Sequence, residues 1–149
     1  MNESGHILVA EDDPTDAYFL QRAFRRAGLP VVLHFVRDGQ EAIDYLQGEG
    51  RFADRATYPL PHLVLLDLRM PRLDGFDVLE WVGKHPAFSG LHFVIFSSST
   101  APGDMERAYG LGANSYLVKP HNLEELNSLV GRFKKFWLTG ESDRNRKAA

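Results

Sequence analysis

Apolar residues fall along the chain in two alternating kinds of run. Short, densely apolar stretches suited to strands occupy Ile7–Ala10, Val31–Val36, Leu63–Leu66, Phe93–Phe96 and Ser115–Val118. Leu63-Val64-Leu65-Leu66 is apolar at every position rather than at alternate ones, the pattern of a central parallel strand covered on both faces. Between these runs apolar positions recur at intervals of three and four. Ala17, Leu20, Phe24 and Ala27 make one helical stripe; Phe76, Leu79 and Val82 make another; Met105, Ala108 and Tyr109 a third. Leu123, Leu126, Val130, Phe133 and Trp137 make the last. The first helix is punctuated at both ends. Asp13-Pro14 reads as an N-cap followed by proline at the first helical position, Asp16 falls in the first turn, and Gly28 stands just past the end. Five strands alternating with five helices predict an α/β fold, a (βα)5 chain that right-handed crossovers wind into a doubly wound five-stranded parallel sheet.

No internal repeat or low-complexity tract interrupts this alternation. The segment from Gly48 to Pro61, with Gly50 and Pro59 inside it, is expected as a surface loop before the third strand. Residues 1–140 read as one domain and 141–149 as a flexible, polar tail, with no stretch after the fifth helix long enough for an output domain. Composition narrows the partners. Lys plus Arg number 17 against 20 Asp plus Glu, a net charge of -3, so no broad basic face is available for nucleic acid. Cysteine is absent, which excludes disulfides, thiolate metal sites and cysteine nucleophiles. No apolar run approaches the roughly 20 residues of a membrane span and no signal peptide opens the chain, so a soluble, cytoplasmic protein without membrane partners is expected.

Candidate chemistry collects where an open parallel sheet places it, beyond the carboxyl ends of the strands. The first strand runs into Glu11-Asp12-Asp13, the third into Asp67, the fourth into Ser97-Ser98-Ser99-Thr100 and the fifth into Lys119-Pro120. Taken singly, each has a plain reading as a turn or a cap, and Asp13 is assigned to its cap outright. Together they put three carboxylates, a hydroxyl and an ammonium on one edge. Glu11, Asp12 and Asp67 would repel one another unless a cation intervened, and an all-oxygen donor set favours Mg2+. A carboxylate beside Mg2+ can attack a phosphoryl group and become an aspartyl phosphate. Lys119 and the Ser97 hydroxyl would neutralise the charge spreading over the phosphoryl oxygens.

These residues carry a resemblance. Ile7-Leu-Val-Ala-Glu-Asp-Asp-Pro14, Leu65-Leu-Asp-Leu-Arg-Met-Pro71 with Asp74-Gly75, Val94-Ile-Phe-Ser97 and Ser115-Tyr-Leu-Val-Lys-Pro120 together resemble the receiver domain of two-component response regulators, over residues 5 to 138. The resemblance implies a flavodoxin-like fold and a set of roles. Asp67 is the phosphoacceptor; Glu11, Asp12, Asp67 and the backbone carbonyl of Arg69 hold Mg2+; Ser97 is the switch hydroxyl, Tyr116 the switch aromatic and Lys119 the phosphate-binding lysine. It also implies a cis bond before Pro120. A sensor histidine kinase is the implied partner and phosphoryl donor, so the domain is a switch rather than an enzyme with turnover. The long loop before the third strand, Ser97-Ser-Ser-Thr100 and Phe133-Lys-Lys-Phe-Trp137 resemble, more narrowly, single-domain regulators paired with bacterial and cyanobacterial phytochromes. Ala10, Ser97 and Ser98 depart from the commonest residues at their positions without removing a required group. In the fifth helix Leu129 and Phe136 widen the apolar surface around Phe133 and Trp137, and a twofold homodimer through these four residues is expected.

Three other readings compete. A haloacid-dehalogenase-like phosphohydrolase also uses an aspartate nucleophile, Mg2+, a hydroxyl and a lysine, but places a second aspartate two residues after the first, where this chain has Arg69. A nucleotide-binding protein would need a glycine-rich phosphate loop after the first strand, and there is none. A degenerate receiver acting only as an interaction module would lack some of the five expected side chains, all of which are present. The six histidines show no metal-ligand spacing.

Overall fold

The computed structural model describes residues 5–138, with side chains described as far as residue 133. Strands and helices alternate: β1 (Gly5–Ala10), α1 (Pro14–Ala27), β2 (Val31–Val36), α2 (Gly39–Gln47), β3 (Leu63–Leu66), α3 (Gly75–Gly83), β4 (His92–Ser97), α4 (Pro102–Gly110), β5 (Ser115–Val118) and α5 (Leu123–Leu138). All strand pairs are parallel, in the order β2-β1-β3-β4-β5. This is the flavodoxin-like arrangement, with its topological switch point between β1 and β3. The apolar runs place β2, β3 and β5 to the residue. β1 starts two residues early because Gly5 and His6 pair with Val31 and Val32, and β4 gains His92 and Ser97 through its neighbours.

The chain forms two compact units, whose described parts are residues 5–17 with Pro30–Lys119 and residues Tyr18–Leu29 with 120–138. The first holds the whole sheet and the larger core. Leu8, Ala10, Val64, Leu66, Phe93 and Ile95 of the strands pack with Tyr45, Leu46, Phe76, Leu79 and Ala108 of α2, α3 and α4. The alternate strand residues Ile7, Val9, Leu63, Leu65, Val94 and Phe96 are buried as well, which accounts for the uninterrupted apolar run in β3. In the second unit Phe24 of α1 meets Phe133 of α5 with ring centroids 5.9 Å apart, and Asn122 caps α5 by accepting the Glu125 amide at 2.8 Å.

The structure adds detail to the second and fifth helices and corrects two expectations, on the loop before β3 and on the bond before Pro120. The second helix, for which no stripe is read from the sequence, buries Gly39, Ala42, Ile43 and Leu46 at helical spacing, and its ends are marked: Asp38 accepts the Glu41 amide, and Gly48 closes the helix at φ 72°. The segment from Gly48 to Pro61 is more than surface loop. Phe52 is buried in the core, and Arg55 donates to the Tyr45 and Leu46 carbonyls at the end of α2 and to the Tyr58 carbonyl. The Lys119–Pro120 bond is trans, not cis; trans is the lower-energy isomer even before proline, and Lys119 reaches its partners with it. Leu129 is buried at 7% exposure and Phe133 is half-buried. A helix that buries Leu126, Leu129 and Val130 has a wider inward face than one stripe. The side chains of Phe136 and Trp137, and the segment 141–149, lie outside the described residues. No helix among the described residues is long and apolar enough to cross a membrane.

Candidate functional site

Register brings the polar strand ends together. Ala10 pairs with Leu66, so Glu11 and Asp67 emerge side by side, and the Asp67 amide bonds back to the Ala10 carbonyl at 3.1 Å. Ser97 pairs with Val118, so Lys119 follows directly, its amide donating to the Ser97 carbonyl at 2.8 Å. The opposite side of the acceptor loop is set by α3. Asp74 caps that helix in a reciprocal capping box with Asp77, and the Gly75 amide donates to the Leu68 carbonyl at 3.1 Å. A second tie comes from Asp38, which caps α2 and accepts from Arg72 at 2.8 and 2.9 Å, while the Gly39 amide reaches the Leu73 carbonyl at 2.8 Å. Arg72 holds this position at φ 64°, an uncommon conformation for a residue other than glycine.

At the centre lie Glu11, Asp12 and Asp67, each with a carboxylate oxygen within 4.8 Å of the others'. Glu11 and Asp67 are buried and Asp12 is exposed. Lys119 Nζ stands 2.7 Å from Glu11 Oε1 and 3.0 Å from Asp67 Oδ2. It also reaches Asp16 Oδ2 at 3.0 Å, a partner the first-turn placement of Asp16 did not reveal. Burial pushes the Glu11 carboxyl up to about 7, against the opposing pull of the Lys119 hydrogen bond, and the Asp67 charge adds to the rise. Burial disfavours the Lys119 ammonium, but the Glu11 hydrogen bond and the Asp67 and Glu11 charges outweigh it and hold its pKa above the ordinary lysine value. Three clustered oxygen donors, two of them buried, fit a hard divalent cation, whose charge would offset the burial and the neighbouring Asp67 that raise Glu11.

Ser97 and Tyr116 belong to a second, adjoining network. Ser97 is buried, and its Oγ accepts the Ser99 amide at 3.2 Å. Tyr116 is half-buried and donates its hydroxyl to the Ser99 carbonyl at 2.9 Å. Ser99 Oγ donates to Asp104 Oδ2 at 2.6 Å, and Arg69 donates to the same oxygen at 2.9 Å. The Arg69 amide faces Asp67 Oδ1 at 3.4 Å. Asp104 on α4 therefore links the acceptor loop to the loop after β4. Asp13 does what its sequence context implies, accepting the Thr15 and Asp16 amides. Of the expected residues, Glu11, Asp12, Asp67 and Lys119 form one cluster, and Ser97 and Tyr116 meet through Ser99. Asp16, Arg72 and Asp104 were missed; they are exposed-helix or loop charges by sequence, and only long-range contacts give them a place.

The response regulator receiver domain model matches residues 7–131. Among curated proteins, the chain is 38% identical over 135 residues to the probable methanogenesis regulatory protein FilR2 of Methanothrix harundinacea, covering 89% of this chain and 83% of that one. It is 33% identical over 132 residues to response regulator Rcp1 of Synechocystis, covering 89% and 88%. The Mn2+-bound structure of Rcp1 aligns with TM-score 0.79 at 32% identity over 90% of this chain and 94% of that one. The phosphorylated cyanobacterial phytochrome response regulator RcpA aligns with TM-score 0.84 at 33% identity, over 93% and 96%. Sheet order, clustered acids and matched family together give one conclusion: this chain is a receiver domain of the response regulator family of signalling proteins.

Proposed function

We propose that this chain takes a phosphoryl group onto Asp67 from the phosphohistidine of a sensor histidine kinase and relays the change through its α4, β5 and α5 surface. The observation that carries the reading is the placement of Lys119 Nζ 3.0 Å from a buried Asp67 carboxylate oxygen within the acidic cluster. Glu11, Asp12, Asp67 and the Arg69 carbonyl would hold Mg2+, which when bound screens the acceptor and draws charge from the phosphoryl oxygens. Asp67 supplies the attacking oxygen: an O–P bond forms as the P–N bond of the phosphohistidine breaks. Lys119 meets the negative charge on the transferred group. The Ser97 hydroxyl, now bonded to the Ser99 amide, turns to a phosphoryl oxygen, and Tyr116 leaves the Ser99 carbonyl to fill the space. Such a change shifts populations between states that already exist, by no more than their differential contacts allow.

Chemistry here is a single transfer followed by hydrolysis, in which water takes the phosphoryl group as inorganic phosphate and frees the Asp67 carboxylate, not turnover of a substrate pool. The likeness to the cyanobacterial phytochrome response regulator RcpA supports a phytochrome as the kinase, while the name of FilR2 points to another input. The remaining elements of the reading are a cytoplasmic receiver spanning residues 1–140 with a polar tail at 141–149, no nucleic-acid target, and a homodimer through the fifth helix with Leu129, Phe133, Phe136 and Trp137 at its interface. The test is phosphotransfer from purified kinases in Mg2+. A phytochrome kinase should label the parent within minutes and leave Asp67→Asn unlabelled. Labelling of Asp67→Asn to the parent level overturns the acceptor, and transfer from an unrelated kinase alone overturns the phytochrome.

A further inference from the structure

One ammonium serves three carboxylates at the edge of the sheet. Lys119 Nζ lies 2.7 Å from Glu11, 3.0 Å from Asp67 and 3.0 Å from Asp16. Glu11 and Asp67 belong, with Asp12, to the group whose oxygens lie close enough to share a cation; Asp16 does not. Lys119 therefore neutralises two of the three metal-ligating groups, and an ammonium and a divalent cation compete for the same oxygens. Asp16 is the partner that a cation does not claim. It sits in the first turn of α1, its amide held by Asp13 Oδ1 at 3.3 Å, and its side chain is 44% exposed.

We propose that Asp16 is a positioning residue: it keeps Lys119 Nζ charge-paired beside Asp67 when Glu11 and Asp67 turn to a divalent cation, and so eases the competition between ammonium and metal. The inference rests on the metal site of the proposed function. Without Asp16 the ammonium leans entirely on Glu11 and Asp67, and metal entry costs more. A plain charge effect gives the same sign, because removing any nearby carboxylate weakens cation binding. The two separate in the presence and absence of Lys119, since positioning acts only through that residue.

The test is Mg2+ titration of the unphosphorylated protein, by calorimetry at fixed ionic strength, for the parent, Asp16→Asn, Lys119→Met and the double variant. Asp16→Asn should weaken Mg2+ binding by about three- to tenfold in the parent and by less than about twofold in the Lys119→Met background. Asp16→Glu, which restores the carboxylate, should return the affinity to near the parent value. An equal loss in both backgrounds, or no loss in the parent, overturns the proposal, as does an Asp16→Glu variant as weak as Asp16→Asn. If Lys119→Met does not fold, Lys119→Gln serves as the second background, with the same outcomes expected. A parent that binds no Mg2+ at millimolar concentration instead overturns the metal site itself.

Discussion

A Cβ on Gly75 would sit 2.5 Å from the Asp67 carbonyl oxygen and 3.0 Å from Leu68 Cα, both backbone atoms that cannot swing aside. The Asp74-Gly75 pair of the motif thus has a physical reason: α3 begins hard against the strand end that carries the acceptor. Gly75→Ala should cost about 1–3 kcal/mol through forced backbone shifts and slow phosphorylation as well. Gly83, in the same helix, has nothing within 4 Å of its would-be Cβ, so Gly83→Ala should be neutral or stabilising by up to about 1 kcal/mol. Urea unfolding of the two variants measures both, and equal midpoints would contradict the close-approach account. Glu11, Asp12, Asp67 and Lys119 were legible because each lies just past the end of a strand, and parallel strands deliver their carboxyl ends to one edge of the sheet. Asp16, Arg72 and Asp104 were not, because a long side chain or an exposed helical acid finds its partner only once loops distant in sequence are side by side.

Among the elements, α2 and the segment after it depend on each other. Helix α2 ends with carbonyls that need donors, and Arg55 supplies them at 2.8 and 2.6 Å. Gly48 leaves room for that guanidinium, since a Cβ there would lie 2.8 Å from Arg55 Nε. Tyr45 locks the far end by donating its hydroxyl to the Pro59 carbonyl at 2.9 Å. Burial pushes the Tyr45 hydroxyl up from 10.0 to about 12. The unfolded chain loses this proton near pH 10 while the fold retains it, so the stabilisation is complete below pH 10 and is lost as pH rises toward 12. The loss amounts to about 2–3 kcal/mol. Tyr45→Phe lacks that term. Denaturant unfolding at pH 9 and pH 11.5 should show the parent losing more stability than Tyr45→Phe, and parallel losses would contradict the linkage. Strand positions were readable because a buried parallel strand is apolar throughout. Helix α2 was less so: Gly39, Ala42, Ile43 and Leu46 do follow the helical period, but the helix spans only nine residues and one member of the stripe is a glycine. The order of Asp38, Glu41 and Gly48 was the second available signal.

For the whole molecule, alternating strands and helices fix the parallel sheet, and the sheet's polar edge fixes the chemistry; surface association is a separate matter. The proposed homodimer through the fifth helix is tested at Phe136 and Trp137. The parent should sediment as a dimer at tens of micromolar, and replacing both aromatics with serine should give a folded monomer that still accepts phosphate. A monomeric parent, with or without a phosphoryl mimic, contradicts the dimer and leaves the receiver chemistry intact. That chemistry has a direct measurement of its own: label the protein with a small phosphodonor and Mg2+, trap the acyl phosphate by borohydride reduction, and map the modified residue by peptide mass spectrometry. The account predicts an acid-stable, hydroxylamine-labile adduct on Asp67 and nowhere else. A reduced residue at Glu11 or Asp12, a label on histidine, or no adduct in the presence of Mg2+ would contradict it.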